Sequence, residues 1–317
     1  MSPQILPNPD QKNQKQAKID HEQRQVSEHA GISFTAHYTG EMWQKMGISH
    51  PALSTRLGRR LHWLLAPIEW LAQRLAGVSI GETLKMRQAL LDQEVVSWIN
   101  KHPTTYVVEL AAGLSARGWR LLNQFDQISY LEVDLPDMSA LKQLRAANLP
   151  GRVPEFFAAD IFTSELAVKI DSLDRSRPVL FVTEGLINYF TLDQTAKLAQ
   201  LLNNTAQQHS SSTWLTEIYP CNNKPWVNQL TQWSFTILRV LTKSAFETHF
   251  TKPAEAVSFF EESADCHVQV IQPSQPEPDA KPNAQQTNQQ HLGDPVWILT
   301  ITPNTPKLVN PVLLSQS

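Results

Sequence analysis

The chain has 317 residues, 41% of them hydrophobic and 18% charged, so it can bury a sizeable core as one large domain or two small ones. A formal charge of −3 gives no reason to expect a nucleic-acid partner, since no basic field dominates the chain. Its two cysteines, Cys221 and Cys266, lie outside any CxxC or Cys/His array, so neither a disulfide framework nor a metal site is expected and both read as reduced thiols.

Residues 1–30 are Gln-rich, lack an apolar core of signal-peptide length and read as a disordered tail. No apolar run reaches the roughly 18 residues that a membrane span needs, and the expectation is a cytoplasmic protein with no transmembrane segment. Residues 31–103 read as helix and loop only, a helical cap. Within them "RLGRRLHWLLAPIEWLAQRLAG", Arg56 to Gly77, mixes basic and aromatic residues in an amphipathic pattern, which suits either a membrane surface or a packed lid. Pro67 and Glu69 inside the run favour two short packed helices. The spacing predicts a helix over Thr83–Asn100, with Leu84, Leu91, Val95 and Trp98 on one stripe. Arg87 falls within about 40° of the stripe's centre. A cation there has an anionic partner unless its stem reaches water.

From residue 104 to 317 the pattern changes. "YVVEL", "ISYLEVDL", "EFFAADIF", "PVLFVTEGL" and "TWLTEIY" read as strands, alternating with helical stretches. Thr191 and Gln194 form a capping box before "LDQTAKLAQLLNNTA". Apolar, β-branched strands alternating with helices predict an α/β fold, a parallel sheet covered on both faces. A helical insertion at 222–250 and a disordered Pro/Gln-rich loop at 272–290 interrupt this domain. Two late strands, "CHVQVI" and "PVWILTI", read as an antiparallel pair, giving a seven-stranded, mostly parallel sheet with an antiparallel last strand.

Open α/β sheets bind ligands beyond the carboxyl ends of their strands. Gly113 stands at the turn after the first strand, and Asp134, Asp160, Glu184 and Glu217 at or near the ends of the next four. A core does not need such acids, because each costs several kcal/mol when buried unpaired. Gly113 lets a backbone approach a ligand closely, and Asp134, roughly 20 residues on, suits ribose hydroxyls. The turn is neither GxGxxG nor a P-loop, which disfavours a pyrophosphate. A ribose together with a cationic amino-acid end points to S-adenosyl-L-methionine.

"VVELAAGLSARGWRL", "YLEVDLP", "AAD" and "VLFVTEGLINYF" resemble the leucine carboxyl methyltransferase family, in particular its bacterial branch of polyketide-type O-methyltransferases, from about Ser33 onward. The resemblance implies a Rossmann-like class I S-adenosylmethionine-dependent fold with a helical cap, methylating a small-molecule carboxylate or hydroxyl, or a protein carboxyl group. It implies that Arg87 pairs with the cofactor's carboxylate, Gly113 lies under the methionine part and Asp134 holds the ribose. Asp160 and Ile161 would flank the adenine, and Glu184 would face the amino-acid end. Glu109 would order the first loop by accepting backbone N–H groups. The family often has Gly and Asp where this chain has Ala111 and Ser115, and Met and Leu where it has Asn188 and Phe190. These departures bear on the substrate.

Blander readings stand beside these. Asp134 and Asp160 could cap local structure, and Glu184 could pair with a core arginine. Arg117 and Arg120 read as solvated or ion-paired, His249 as a packing residue, and Trp226, Trp233 and Phe235 as core. A carboxylate acceptor needs no general base, whereas a hydroxyl benefits from one, and Glu184, Tyr189 and Glu217 are the candidates. An NAD-dependent oxidoreductase and a non-catalytic binding or scaffold protein on the same fold are the alternative functions.

Overall fold

The computed structural model describes residues 34–76, 80–221, 247–273 and 294–304. Its frame is one seven-stranded sheet of β1 (Tyr106–Leu110), β2 (Ser129–Asp134), β3 (Glu155–Ala158), β4 (Val179–Thr183), β5 (Ser212–Ile218), β6 (Cys266–Ile271) and β7 (Trp297–Pro303). The order is β3-β2-β1-β4-β5-β7-β6. Strands β1 to β5 run parallel, and β7 is antiparallel to both β5 and β6. Strand order reverses between β1 and β4, which opens a crevice at their carboxyl ends.

The helices are α1 (34–45), α2 (Arg56–Ala76), α3 (Ile80–Lys101), α4 (Arg117–Leu122), α5 (Pro136–Ala146), α6 (Ser164–Asp171), α7 (Leu192–Ala206) and α8 (Pro253–Ser263). Side chains alternate across a strand, and that parity sorts the core into two layers. Val108, Leu110, Val133 and Phe181 face α6, α7 and α8, whereas Val107, Tyr130, Leu180 and Leu215 face α3 and α4. Each such apolar side chain contributes roughly 1.5–3 kcal/mol on burial. The capping box forms as the sequence predicts, Thr191 N–H donating to Gln194 and Gln194 N–H to the Thr191 hydroxyl.

The stripe on α3 is not confined to a cap. Leu84 joins Tyr38 and Met42 of α1 and Leu61 of α2 in a small cluster, while Leu91, Val95 and Ile99 pack into the main sheet. Among the aromatic residues expected in the core, Trp226, Trp233 and Phe235 lie outside the described residues, as do the tail 1–30, most of the 222–250 insertion and 274–290 of the late loop. His249 is a packing residue, bonding the Phe190 carbonyl at 2.7 Å beside the Phe250 ring.

One expectation is overturned. Arg56 to Ala76 is a single 21-residue helix with Pro67 inside it, not two short ones. Proline removes one backbone bond and crowds the carbonyl four residues before it, here that of Trp63. Both residues are on the exposed side of the helix.

Candidate active site

Strand β1 runs into the turn 111–116, in which Ala111 (φ 52) and Gly113 (φ 50) are both left-handed. Ala111 therefore occupies a conformation that costs an L-residue roughly 1–2 kcal/mol and that glycine takes freely. Asp134, the last residue of β2, holds this turn: its Oδ2 accepts from Gly113 N–H at 2.7 Å and its Oδ1 from Leu135 N–H at 2.8 Å. Burial pushes the Asp134 carboxyl up, against those two hydrogen bonds. Helix α1 lies over the turn, since a Cβ on Gly113 would come within 3.1 Å of Ala36 Cβ, and one on Gly40 within 2.8 Å of Leu114.

Beyond β3, Asp160 Oδ1 accepts from Phe162 N–H at 2.9 Å and its carbonyl accepts the Thr163 hydroxyl at 2.7 Å. The turn-capping reading of Asp160 is thus met, next to a buried Ile161. Its strand end adjoins that of Asp134, whose carbonyl accepts Ala159 N–H at 2.9 Å.

Strand parity places Glu109, Glu132 and Glu217 on the face covered by α3 and α4. Two arginines meet Glu109, Glu217 and the adjoining Glu184 there. Arg87 of α3 donates through Nε to Glu184 Oε1 and through Nη1 to the Tyr219 hydroxyl, both at 2.9 Å, with Glu217 Oε1 at 3.8 Å. Arg117, the first residue of α4, is 0% exposed and contacts Asp92 (2.6 Å), Glu109 (2.5 Å) and Glu184. Arg120 closes the group on Asp92 at 2.6 Å.

Of the two readings of Arg117, solvated or ion-paired, the structure has the second, and it makes Arg117 the centre of the network. Sequence logic could have found it, because four buried acids need more than one cation. Glu109 also departs from expectation. Its carboxylate accepts from the guanidinium of Arg117 and the hydroxyl of Tyr130 (2.7 Å), not from backbone N–H groups. It orders the loop through the first residue of the following helix. Arg87 does lie on a buried stripe with an anionic partner, and that partner is Glu184 of this chain.

The carboxyl groups divide by environment. Burial pushes Glu184 up, but Arg117 and Arg87 outweigh it and hold the group below the usual range. Burial raises Glu217 to about 7, since Arg87 stands farther from it. Gly185 N–H donates to Glu217 Oε1, whereas the buried Oε2 has no hydrogen-bond partner among the described residues. Tyr189 lies in the same neighbourhood; burial raises its phenol, which is hydrogen-bonded to Thr35 and feels the charges of Arg87 and Glu217. On the neighbouring strand Glu132 is Cα partner to Glu109 and pairs with Lys142 at 2.5 Å. Burial and the adjacent Glu109 raise it to about 7 despite that lysine.

Residues 66–203 match the leucine carboxyl methyltransferase family, a stretch that holds Arg87, Glu109, Arg117, Asp134 and Glu184. The tetracenomycin polyketide synthesis O-methyltransferase TcmP of Streptomyces glaucescens is 30% identical over 103 residues, 32% of this chain and 36% of that protein. The match thus spans about a third of the relative's length. A DUF574 family protein from Streptomyces avermitilis shares the fold at a TM-score of 0.55 and 13% identity, over 86% of this chain and 99% of that one. The stretch 66–203 that matches the family thus lies on an α/β Rossmann-like sheet, with its acids toward the sheet's carboxyl edge.

Proposed function

We propose that the protein is a cytoplasmic S-adenosyl-L-methionine-dependent methyltransferase that transfers a methyl group to an oxygen of a small molecule. The observation that carries this reading is the Asp134 clamp on the left-handed Gly113 turn, at the point where strand order reverses, within a carboxyl-rich edge. Acids grouped there favour a cationic nucleoside ligand over a phosphate. The buried Oε2 of Glu217 is a further acceptor fit to face it. The family match and the likeness to a polyketide O-methyltransferase support an oxygen nucleophile.

In this reading Asp134 and Gly113 hold the ribose and methionine parts, Asp160 and Ile161 flank the adenine, and Arg87 shares its guanidinium between Glu184 and the ligand's carboxylate. Bound there, the cofactor supplies an electrophilic methyl on a sulfonium. Most of the rate comes from holding the acceptor oxygen in line with that carbon, for which positioning contributes about 7–11 kcal/mol. Held there by Gly113, Asp134 and Arg87, the cofactor would supply the methyl carbon to the acceptor oxygen's lone pair, and its sulfur would keep the C–S electron pair. Among the three base candidates, Glu184 is held ionised by two arginines and Tyr189 is pushed away from ionising. Glu217, near 7, is the one that can take a hydroxyl's proton at neutral pH. A carboxylate acceptor would not need it.

Calorimetry with S-adenosylmethionine, S-adenosylhomocysteine and NAD tests the reading. Binding of the first two and not of NAD is expected. Binding of NAD alone would replace it with the oxidoreductase, and silence to all three with a scaffold.

A further inference from the structure

Helix α2 has a second face that the proposed reaction does not use. Its inner side packs Leu61 and Leu65 against α1 and the start of α3. On the outer side Trp63 is 76% exposed, Trp70 59% and Leu64 58%. These are large hydrophobic residues on a helix already anchored through its other face.

At about 100° per residue, Arg56, Trp63, Pro67, Trp70 and Arg74 fall within an arc of about 60°, and Arg59 and Arg60 widen it to about 100°. All seven are exposed. The Arg74 guanidinium lies over the Trp70 ring at 5.4 Å, so cation and indole share one surface. From Arg56 to Arg74 the sequence has four arginines against one acid, Glu69, in a chain whose net charge is −3. The basic character is therefore local to this helix.

We propose that the outer face of α2 docks the protein on an anionic membrane surface, with Trp63, Leu64 and Trp70 entering the headgroup region and Arg56, Arg60 and Arg74 meeting lipid charge. Charge complementarity carries the choice of partner. Indole rings are favoured at the level of lipid headgroups, and arginine stems reach from an apolar boundary to anionic groups. Arg59 contributes less, because its Nη1 is held by the Ser54 hydroxyl at 2.9 Å. No helix among the described residues is long and apolar enough to cross a membrane, so α2 lies in the surface plane.

The test is flotation of the full chain with phosphatidylcholine vesicles and with vesicles containing roughly one-third phosphatidylserine, at about 0.1 M and about 0.5 M NaCl. Binding to the anionic vesicles only, weakened at least about tenfold by the higher salt, is expected. Trp63→Ser/Trp70→Ser and Arg56→Glu/Arg60→Glu should each lower it at least about tenfold with unchanged melting temperature, since neither pair is buried. Equal partition onto neutral vesicles, no partition onto anionic ones, or full retention in both variants would overturn the proposal. So would a concentration-dependent dimer that Trp63→Ser/Trp70→Ser dissolves, which would make a second copy the occupant. The inference does not rest on methyl transfer, and cofactor binding should be the same in both variants.

Discussion

Arg87 and Glu184 are 97 residues apart in sequence and 2.9 Å apart in space. Their contact ties the middle of α3 to the end of β4. Together with Arg117 it separates the two acids Arg87 faces, for Glu184, gripped by both arginines, stays ionised and Glu217, from which Arg87 stands off, is raised.

Removing Arg117 should be the most damaging single change in the network. Arg117→Met strips Asp92, Glu109 and Glu184 of a shared partner, and breaking a buried pair from one side costs about 3–5 kcal/mol. Arg117→Lys should recover only part of this, since one ammonium cannot span three carboxylates. Urea denaturation reads both, and a loss below about 1 kcal/mol for Arg117→Met would contradict the central role.

Stability should fall between about pH 4.5 and pH 7. A carboxyl raised to about 7 in the fold binds its proton more tightly there than in the unfolded chain. The resulting stabilisation is full below the unfolded value near 4.5 and is lost as pH rises through the folded value. Each pH unit of difference is worth about 1.4 kcal/mol. Glu217→Gln should flatten part of the slope, leaving the share due to Glu132. A slope unchanged by the substitution would show that Glu217 titrates normally.

The two left-handed turn residues should respond in opposite directions. Gly113→Ala forces a side chain into positive φ and toward Ala36, and should destabilise by about 1–2 kcal/mol. Ala111→Gly relieves the same strain two residues earlier and should be neutral or stabilising by up to about 1 kcal/mol. Thermal melts of both proteins settle the sign.

In the proposed function, Asp134→Asn should weaken S-adenosylhomocysteine binding by about 10- to 100-fold, as loss of hydrogen bonds to a charged group does. Asparagine keeps one acceptor for the turn, so the melting temperature should move less than for Asp134→Ala. Calorimetry that finds unchanged affinity would remove the ribose role.

Much of the frame was legible because its signals are local. The β-branched run 106–110, the capping box at Thr191 and the acids at successive strand ends need no knowledge of what lies opposite. Arg87 was legible as a buried cation in want of an anion, although the anion turned out to be Glu184 of the same chain. Glu109 and Arg117 were not, because Glu109 points to a helix whose register only packing fixes, and Arg117 follows a turn whose direction depends on Ala111 and Gly113.

By itself the sequence determined the alternation of strands and helices, the family likeness over residues 66–203 and the acids that gather at one sheet edge. Only the tertiary structure decided which cation serves which acid, that Glu109 and Glu132 stand side by side, and that α2 turns Trp63 and Trp70 outward. The reason is geometric: periodicity reports the face on which a side chain lies, whereas its partner is chosen by strand order and helix packing between segments that the chain keeps far apart.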